Sequence, residues 1–362
     1  MGGLTVVMSA RDNVISLYRR RGFDQVPFQF SLCPSLDETY RQRTGATVGY
    51  DDYFAFPIRS ACLSPSRNGG FIQARWFPGE TFKPGTHFDD WGIGHEPGSE
   101  AAHHMTRMLH PLGSATSLAD LAAYPFPDWS DQPPADLVAQ VAAHHAAGRA
   151  VEGHMACTVW ETAWYLRGMD RLVGDFAEDQ DFANALLDVI TERSERRASA
   201  YARAGVDILC LGDDVGTQSR LMMSPTTYRR WLKPRLRRVV DAAKAVNPDI
   251  VILYHSCGHV TGLIRDLIEA GIEVLNPVQP ESMDFAQLHR QYGTDLSFNG
   301  TLGTQSVMPF GTADAVRTET RRVLAIAGPQ GGLLPCPTHL LEPEVPWANI
   351  EAYVDTCRTW QG

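Results

Sequence analysis

From residue 150 to the end, the chain alternates runs of β-formers with stretches of helical spacing. AVEGHMACTVWE (150–161) reads as a strand with its exit loop, and helical spacing follows from Trp164 to about Ala204. VDILCLGDDVGTQ (206–218) comes next, then a helix opened by Ser224 as N-cap with Pro225 at its first position. DIVILYHSCGH, IEVLNPVQP, LSFNGTLGTQ and GLLPCPTH repeat the unit, each followed by a helical segment. Gly205, Gly271, Gly293 and Gly328 stand where C-terminal helix caps fall. Such alternation with short connections specifies a parallel sheet with crossover helices.

The ends of these runs narrow the choice. They carry Glu161, Asp213 and Asp214, His255 and Cys257, Asn276, Asn299, then Cys336 and His339. In a (β/α)8 barrel all such ends meet at one mouth, where the chemistry of that fold is placed. No GxGxxG follows a first strand, as an open dinucleotide-binding sheet requires. The expected fold is therefore α/β, a distorted (β/α)8 TIM barrel, with FQFSLCP (28–34) as its first strand. The stretch from about 40 to 130 is rich in Gly, Pro, His and aromatic residues and reads as an irregular insertion or lid. Residues 1–362 are expected to form a single domain.

Composition removes several function classes. The formal charge is −10 with no block of like charges, which disfavours a phosphate grip on nucleic acid. No apolar run approaches the roughly 20 residues that span a bilayer. The opening MGGLTVVMSARDN is too short and too weakly apolar to read as a signal peptide. Seven cysteines, an odd number widely scattered, do not make a disulfide framework and suit reduced thiols in a cytoplasmic protein. A small-molecule substrate is the expected partner, and a homodimer is left open.

His255 and Cys257 are two apart at a strand end, so both project from the same face. A closed barrel brings Cys336 to the same rim. Two thiolates and an imidazole form a soft, zinc-preferring set, and three protein ligands leave one tetrahedral position free. The competing reading is two buried cysteines beside a hydrogen-bonded histidine. Asp214 is the candidate to orient substrate or the metal-bound group, although a loop acid can equally cap backbone N–H groups. Glu161 is a candidate catalytic group or fourth ligand. Gln218, Asn299, Gln305 and His339 are candidate substrate contacts. His95, His103, His104 and His110 lack ligand spacing and read as lid or surface residues.

HSCGHVTGLIRDLIEAGIEVLNPVQPESMDFAQL (255–288), NGTLGTQSVMPFGTADAVR (299–317) and CPTHLLEPEVPWANIEAY (336–353) resemble the uroporphyrinogen decarboxylase superfamily. GDDVGTQSRLMMSPTTYRRWLKP (212–234) looks like the same family's strand-end loop and helix. The likeness covers roughly residues 150–360 and implies a distorted TIM barrel. The arginine-rich RQAGR-type motif of the porphyrin decarboxylases has no counterpart here, since YRRRGF (18–23) lacks the pattern. The resemblance is closer to the zinc methyltransferase branch, whose H-x-C…C ligands match His255, Cys257 and Cys336. It implies Zn²⁺ and a methyl or small alkyl group moved between a thiol and a donor such as a corrinoid protein. No corrinoid-binding D-x-H-x-x-G segment is present, so a corrinoid would arrive on a partner protein. Two alternatives stay open: a lyase or decarboxylase on the same barrel, and a non-catalytic barrel that binds zinc or a small ligand.

Overall fold

The computed structural model describes residues 7–66, 70–98 and 106–361. Its strands, in chain order, are β1 (Ile58–Ala61), β2 (His87–Phe88), β3 (Gly94–Pro97), β4 (Thr106–Leu109), β5 (Ala150–Ala156), β6 (Ile208–Gly212), β7 (Val251–His255), β8 (Val274–Asn276), β9 (Ser297–Asn299) and β10 (Leu333–Leu334). Seven of them form one parallel sheet in the order β1-β5-β6-β7-β8-β9-β10. Sheet order follows chain order, with helices in the crossovers, which is the winding of a (β/α) barrel. The sheet curls around a bore. β2, β3 and β4 make a separate antiparallel sheet.

The expected eighth strand is not found among the described residues, and FQFSLCP forms no strand. That segment makes one isolated parallel bridge, Leu32 with Leu341. Pro27 and Pro34 bracket it, and neither has an N–H to give to a ladder. Pro335 and Pro337 flank Cys336 in the same way, so β10 stops after two residues. The segment is held by side chains instead. Phe30 packs edge-on against Phe56, 4.8 Å between ring centroids, and the Tyr353 hydroxyl donates to the carbonyls of Gln29 and Pro335. The stretch from 40 to 130 also contributes β1 to the main sheet, a strand that the sequence pattern did not announce.

Helix termini follow the local chemistry. Ser224 caps the helix Pro225–Trp231 by accepting the Thr227 N–H, with proline at the first turn. Gly205 ends the 25-residue helix Gln180–Ala204 in the left-handed conformation, φ 86°, which costs a residue without Cβ little.

Two cores result. The larger lies between the sheet and its helices, and the smaller fills the bore. In the bore, helix Ala10–Tyr18 presents Val14, Leu17 and Tyr18 to Ile58, Ala150, Ile208, Val251 and Leu334. Each large aliphatic side chain so buried contributes about 1.5–3 kcal/mol. The helix plugs the end where the strands begin, leaving the strand ends to line the open mouth. No described helix is long and apolar enough to cross a membrane. None of the seven cysteines is in a disulfide.

Candidate metal centre

Register sets the site. Ala156, Gly212, His255 and Asn276 pair in a row across β5, β6, β7 and β8. His255 therefore stands at the last paired position of β7. A Cβ on Gly212 would come within 2.8 Å of the His255 Cβ, so only glycine lets β6 run this close beside it.

The loop after β7 is clasped from three sides. The Ser256 N–H donates to Asn276 O at 2.8 Å, the Gly258 N–H to Gln279 Oε1 at 2.6 Å, and the His259 N–H to Thr217 O at 2.7 Å. The Cys257 N–H donates to Asp214 Oδ1 at 2.7 Å. Every main-chain donor from 256 to 259 is committed, so the thiol has a fixed origin.

His255 Nε2 lies 3.6 Å from Cys257 Sγ and 3.9 Å from Asp214 Oδ1. Together these three residues offer ligand atoms that lie within 4.8 Å of one another. A tetrahedral zinc with bonds near 2.1 Å to nitrogen and 2.3 Å to sulfur sets those two atoms about 3.6 Å apart. The separation of His255 and Cys257 fits that ion. Orientation fits too. Asn276 spends its Nδ2 on Asn299 O at 2.9 Å, leaving Oδ1 to accept from His255 Nδ1 at 2.7 Å. An amide oxygen can only accept, so Nδ1 carries the proton and the Nε2 lone pair faces Cys257.

Carboxyl groups gather beside the pair. Glu161 lies in helix Trp160–Arg167, and its Oε2 accepts the Asp214 N–H at 3.1 Å while Oε1 accepts the Tyr165 hydroxyl at 2.8 Å. Asp213 caps that helix, taking the N–H groups of Val159 and Glu161 at 3.1 and 2.9 Å. Among the described residues no Lys or Arg pairs with Glu161, Asp213 or Asp214. Burial, then the Glu161 charge, raises the Asp213 pKa to about 8. Burial, then Asp214, holds the Glu161 carboxyl above its ordinary range. Burial, with Asp214 and Glu161 beside it, pushes the Cys257 thiol up to about 12. Carboxylate, imidazole and thiol donors grouped in this way suit a divalent ion.

The third expected ligand is placed differently. Cys336 is buried, and its Sγ donates to Asn299 Oδ1 at 2.8 Å. It is joined to His255 through Asn299 and Asn276, not by direct contact, and Asp214 is the third donor in the tight group. His255, Asn276, Asn299, Cys336 and His339 all line one cavity of about 970 Å³. Cys257 opens instead on a neighbouring cavity of about 510 Å³, with Gln218, Gln305 and His339 in its wall. His339 borders both. Gln218 Oε1 accepts the Ser282 hydroxyl at 2.9 Å, and Asn299 is additionally bonded to Tyr18.

Of the other histidines, His110 bonds Tyr165 O through Nδ1 at 2.7 Å, and His95 contacts Asp89 and stacks on His87. His103 and His104 lie outside the described residues. The orienting role of Asn276 was missed from the sequence, since a partner 21 positions away leaves no local signal. Glu152 and His154 in β5 were also missed, although their spacing of two marks a shared face.

The model of the uroporphyrinogen decarboxylase (URO-D) family matches residues 116–360. The chain belongs to the uroporphyrinogen decarboxylase family. Within this enzyme family the relatives fall on two sides. A methylcobamide:CoM methyltransferase from Methanosarcina barkeri is 27% identical over 175 residues, 48% of each chain. A methylated-thiol–coenzyme M methyltransferase from Methanosarcina mazei is 26% identical over 197 residues, 54% of this chain and 50% of its own. A uroporphyrinogen decarboxylase from Thermus thermophilus is 28% identical over 172 residues, 47% of this chain and 46% of its own. The chain thus spans about half the length of the curated relatives it matches. A solved methyltransferase from Methanosarcina mazei shares the fold across 97% of this chain and 98% of its own, with a TM-score of 0.67 and 17% identity.

Proposed function

We propose that this family member is a zinc-dependent transferase that moves a methyl or small alkyl group between a thiol, or other methyl acceptor, and a donor such as a corrinoid protein. The observation that carries the reading is the 3.6 Å approach of His255 Nε2 to Cys257 Sγ, with the imidazole oriented by Asn276. Methyltransferases acting on methylcobamide and on methylated thiols stand among the relatives.

In this proposal His255, Cys257 and Cys336 hold the ion, with the Cys336 thiol leaving Asn299 to do so. Bound there, Zn²⁺ would supply a positive charge that keeps an acceptor thiol as thiolate at neutral pH. The residues of the chain do the rest. Asp214 fixes the Cys257 main chain and so the position of its sulfur. Glu161, whose carboxyl is held above its ordinary range, relays to solvent the proton that the acceptor thiol gives up. Asn299 positions substrate in the larger cavity, and Gln218, Gln305 and His339 position it in the smaller. The two cavities meet at His339, which suits a donor and an acceptor approaching one centre from different sides. One domain carries the whole site, and a reducing cytoplasm keeps its thiols available.

The experiment is a thiol-alkylation assay on metal-loaded and metal-stripped protein, run alongside metal analysis. Alkyl transfer that depends on zinc and disappears with Cys257→Ser supports the reading. Decarboxylation or elimination that survives zinc removal supports a lyase on the same barrel. Tight zinc with no turnover of any thiol supports a binding protein.

A further inference from the structure

A second group of ligand-type side chains stands in the bore, apart from His255 and Cys257. Glu152 and His154 are two apart in β5 and share its inward face. His154 is directly paired with Cys210 of β6 in the sheet register. All three line the 970 Å³ cavity. Their ligand atoms, one carboxylate oxygen, one imidazole nitrogen and one sulfur, lie within 4.8 Å of one another.

The partners of these groups are few. His154 Nδ1 stands 3.7 Å from Glu152 Oε1, too far for a hydrogen bond. Among the described residues, neither the Glu152 carboxylate nor the His154 ring makes a hydrogen bond to another protein group, and no Lys or Arg pairs with Glu152. Cys210 Sγ has only a weak 3.9 Å approach to the Leu211 carbonyl. Yet the Glu152 side chain is only 14% exposed, and Ile58, Leu253 and Leu334 surround the bore at this level. A carboxylate in such surroundings is costly unless a cation or hydrogen bonds compensate it.

We infer that Glu152, His154 and Cys210 form a second cation site, for a divalent first-row transition ion of zinc-like softness. One carboxylate and one thiolate balance a 2+ charge, and a neutral imidazole completes three protein ligands. His154, half exposed toward the cavity, marks the side on which a further position stays open to solvent or substrate. The strand pairing fixes all three Cα positions, so the site is carried by the sheet and not by a loop. Its ligands are separate from those of the proposed catalytic ion, and it stands or falls independently of that reading.

The test is zinc stoichiometry of the full chain, stripped with a chelator and reloaded by equilibrium dialysis. The wild type is expected to take up about two zinc ions per chain, and His154→Ala or Cys210→Ser about one. Cys257→Ser is expected to lose the other ion, and Cys210→Ser combined with Cys257→Ser both. His154→Ala removes a half-exposed side chain and guards against misfolding of the buried Cys210→Ser variant, with circular dichroism as the check on both. Uptake of a single ion by the wild type, or two ions retained in folded His154→Ala and Cys210→Ser, overturns the second site. Loss of zinc in Cys257→Ser alone would leave the catalytic reading standing without it.

Discussion

Asp214 grips Cys257 by the main chain and not by the sulfur: its Oδ1 accepts the Cys257 N–H at 2.7 Å and stands 3.9 Å from His255 Nε2. The carboxylate therefore does two things from one atom. It anchors the loop that carries the thiol, and it places negative charge beside the imidazole. Asp214→Asn keeps the acceptor and removes the charge, whereas Asp214→Ala removes both. The expected outcome is that Asn retains most of the zinc and loses turnover, and that Ala destabilises the fold by about 0.5–1.5 kcal/mol, the worth of the lost hydrogen bond to a partly buried N–H. Metal analysis, steady-state kinetics and urea unfolding read the three effects. Equal loss of zinc and activity in Asp214→Asn would make Asp214 a ligand.

Asn276 controls the imidazole from behind. Asn276→Ala frees His255 Nδ1, so tautomer and ring orientation are no longer set. Zinc affinity should weaken by about 10–100-fold with the fold retained, as for other partners of metal-binding histidines. Competition with a chromophoric chelator measures it, and an unchanged affinity would remove Asn276 from the site.

Cysteine replacement separates the geometric donor group from the proposed one. Cys257→Ser and Cys336→Ser should each lose most of the catalytic zinc, because serine is a poor ligand for a soft site. If Cys336→Ser keeps its full zinc content, Asp214 takes the third place that its position already offers.

Buried Asp213 gives the metal-free protein a pH signature. Its pKa lies near 8 in the fold against an ordinary value of 3.8, so between these values the folded state binds more protons than the unfolded one. Stability should then fall as pH rises from about 4 to about 8. Asp213→Asn, which keeps a carbonyl oxygen for the Val159 and Glu161 N–H groups, should flatten that decline. Thermal unfolding across the range checks the slope, and an identical slope in the variant would assign it elsewhere.

The sequence made the second half of the fold readable for a physical reason. β6 and β7 are apolar runs buried on both faces, and the helix after β6 opens on its own cap, Ser224. β1 was not readable: IRSA has a single aliphatic branch, and it is a strand because β5 lies beside it. FQFSLCP has strand composition, but prolines and aromatic packing hold it without a ladder. Within the site, period two was enough to put His255 beside Cys257. The same rule would have found Glu152 and His154. The bonds of Asn276 to His255, and of Cys336 to Asn299, join residues 21 and 37 positions apart, and only the assembled sheet brings them together.

The most direct measurement is zinc X-ray absorption on a Cys210→Ser protein, so that the catalytic centre alone reports. At rest the shell should contain two sulfurs and a nitrogen. Adding the acceptor thiol should bring a third sulfur to about 2.3 Å. The same addition should release a proton in weakly buffered solution and should do neither with Cys257→Ser. A shell that keeps oxygen or nitrogen in that position, whatever thiol is offered, would contradict thiol activation at His255 and Cys257.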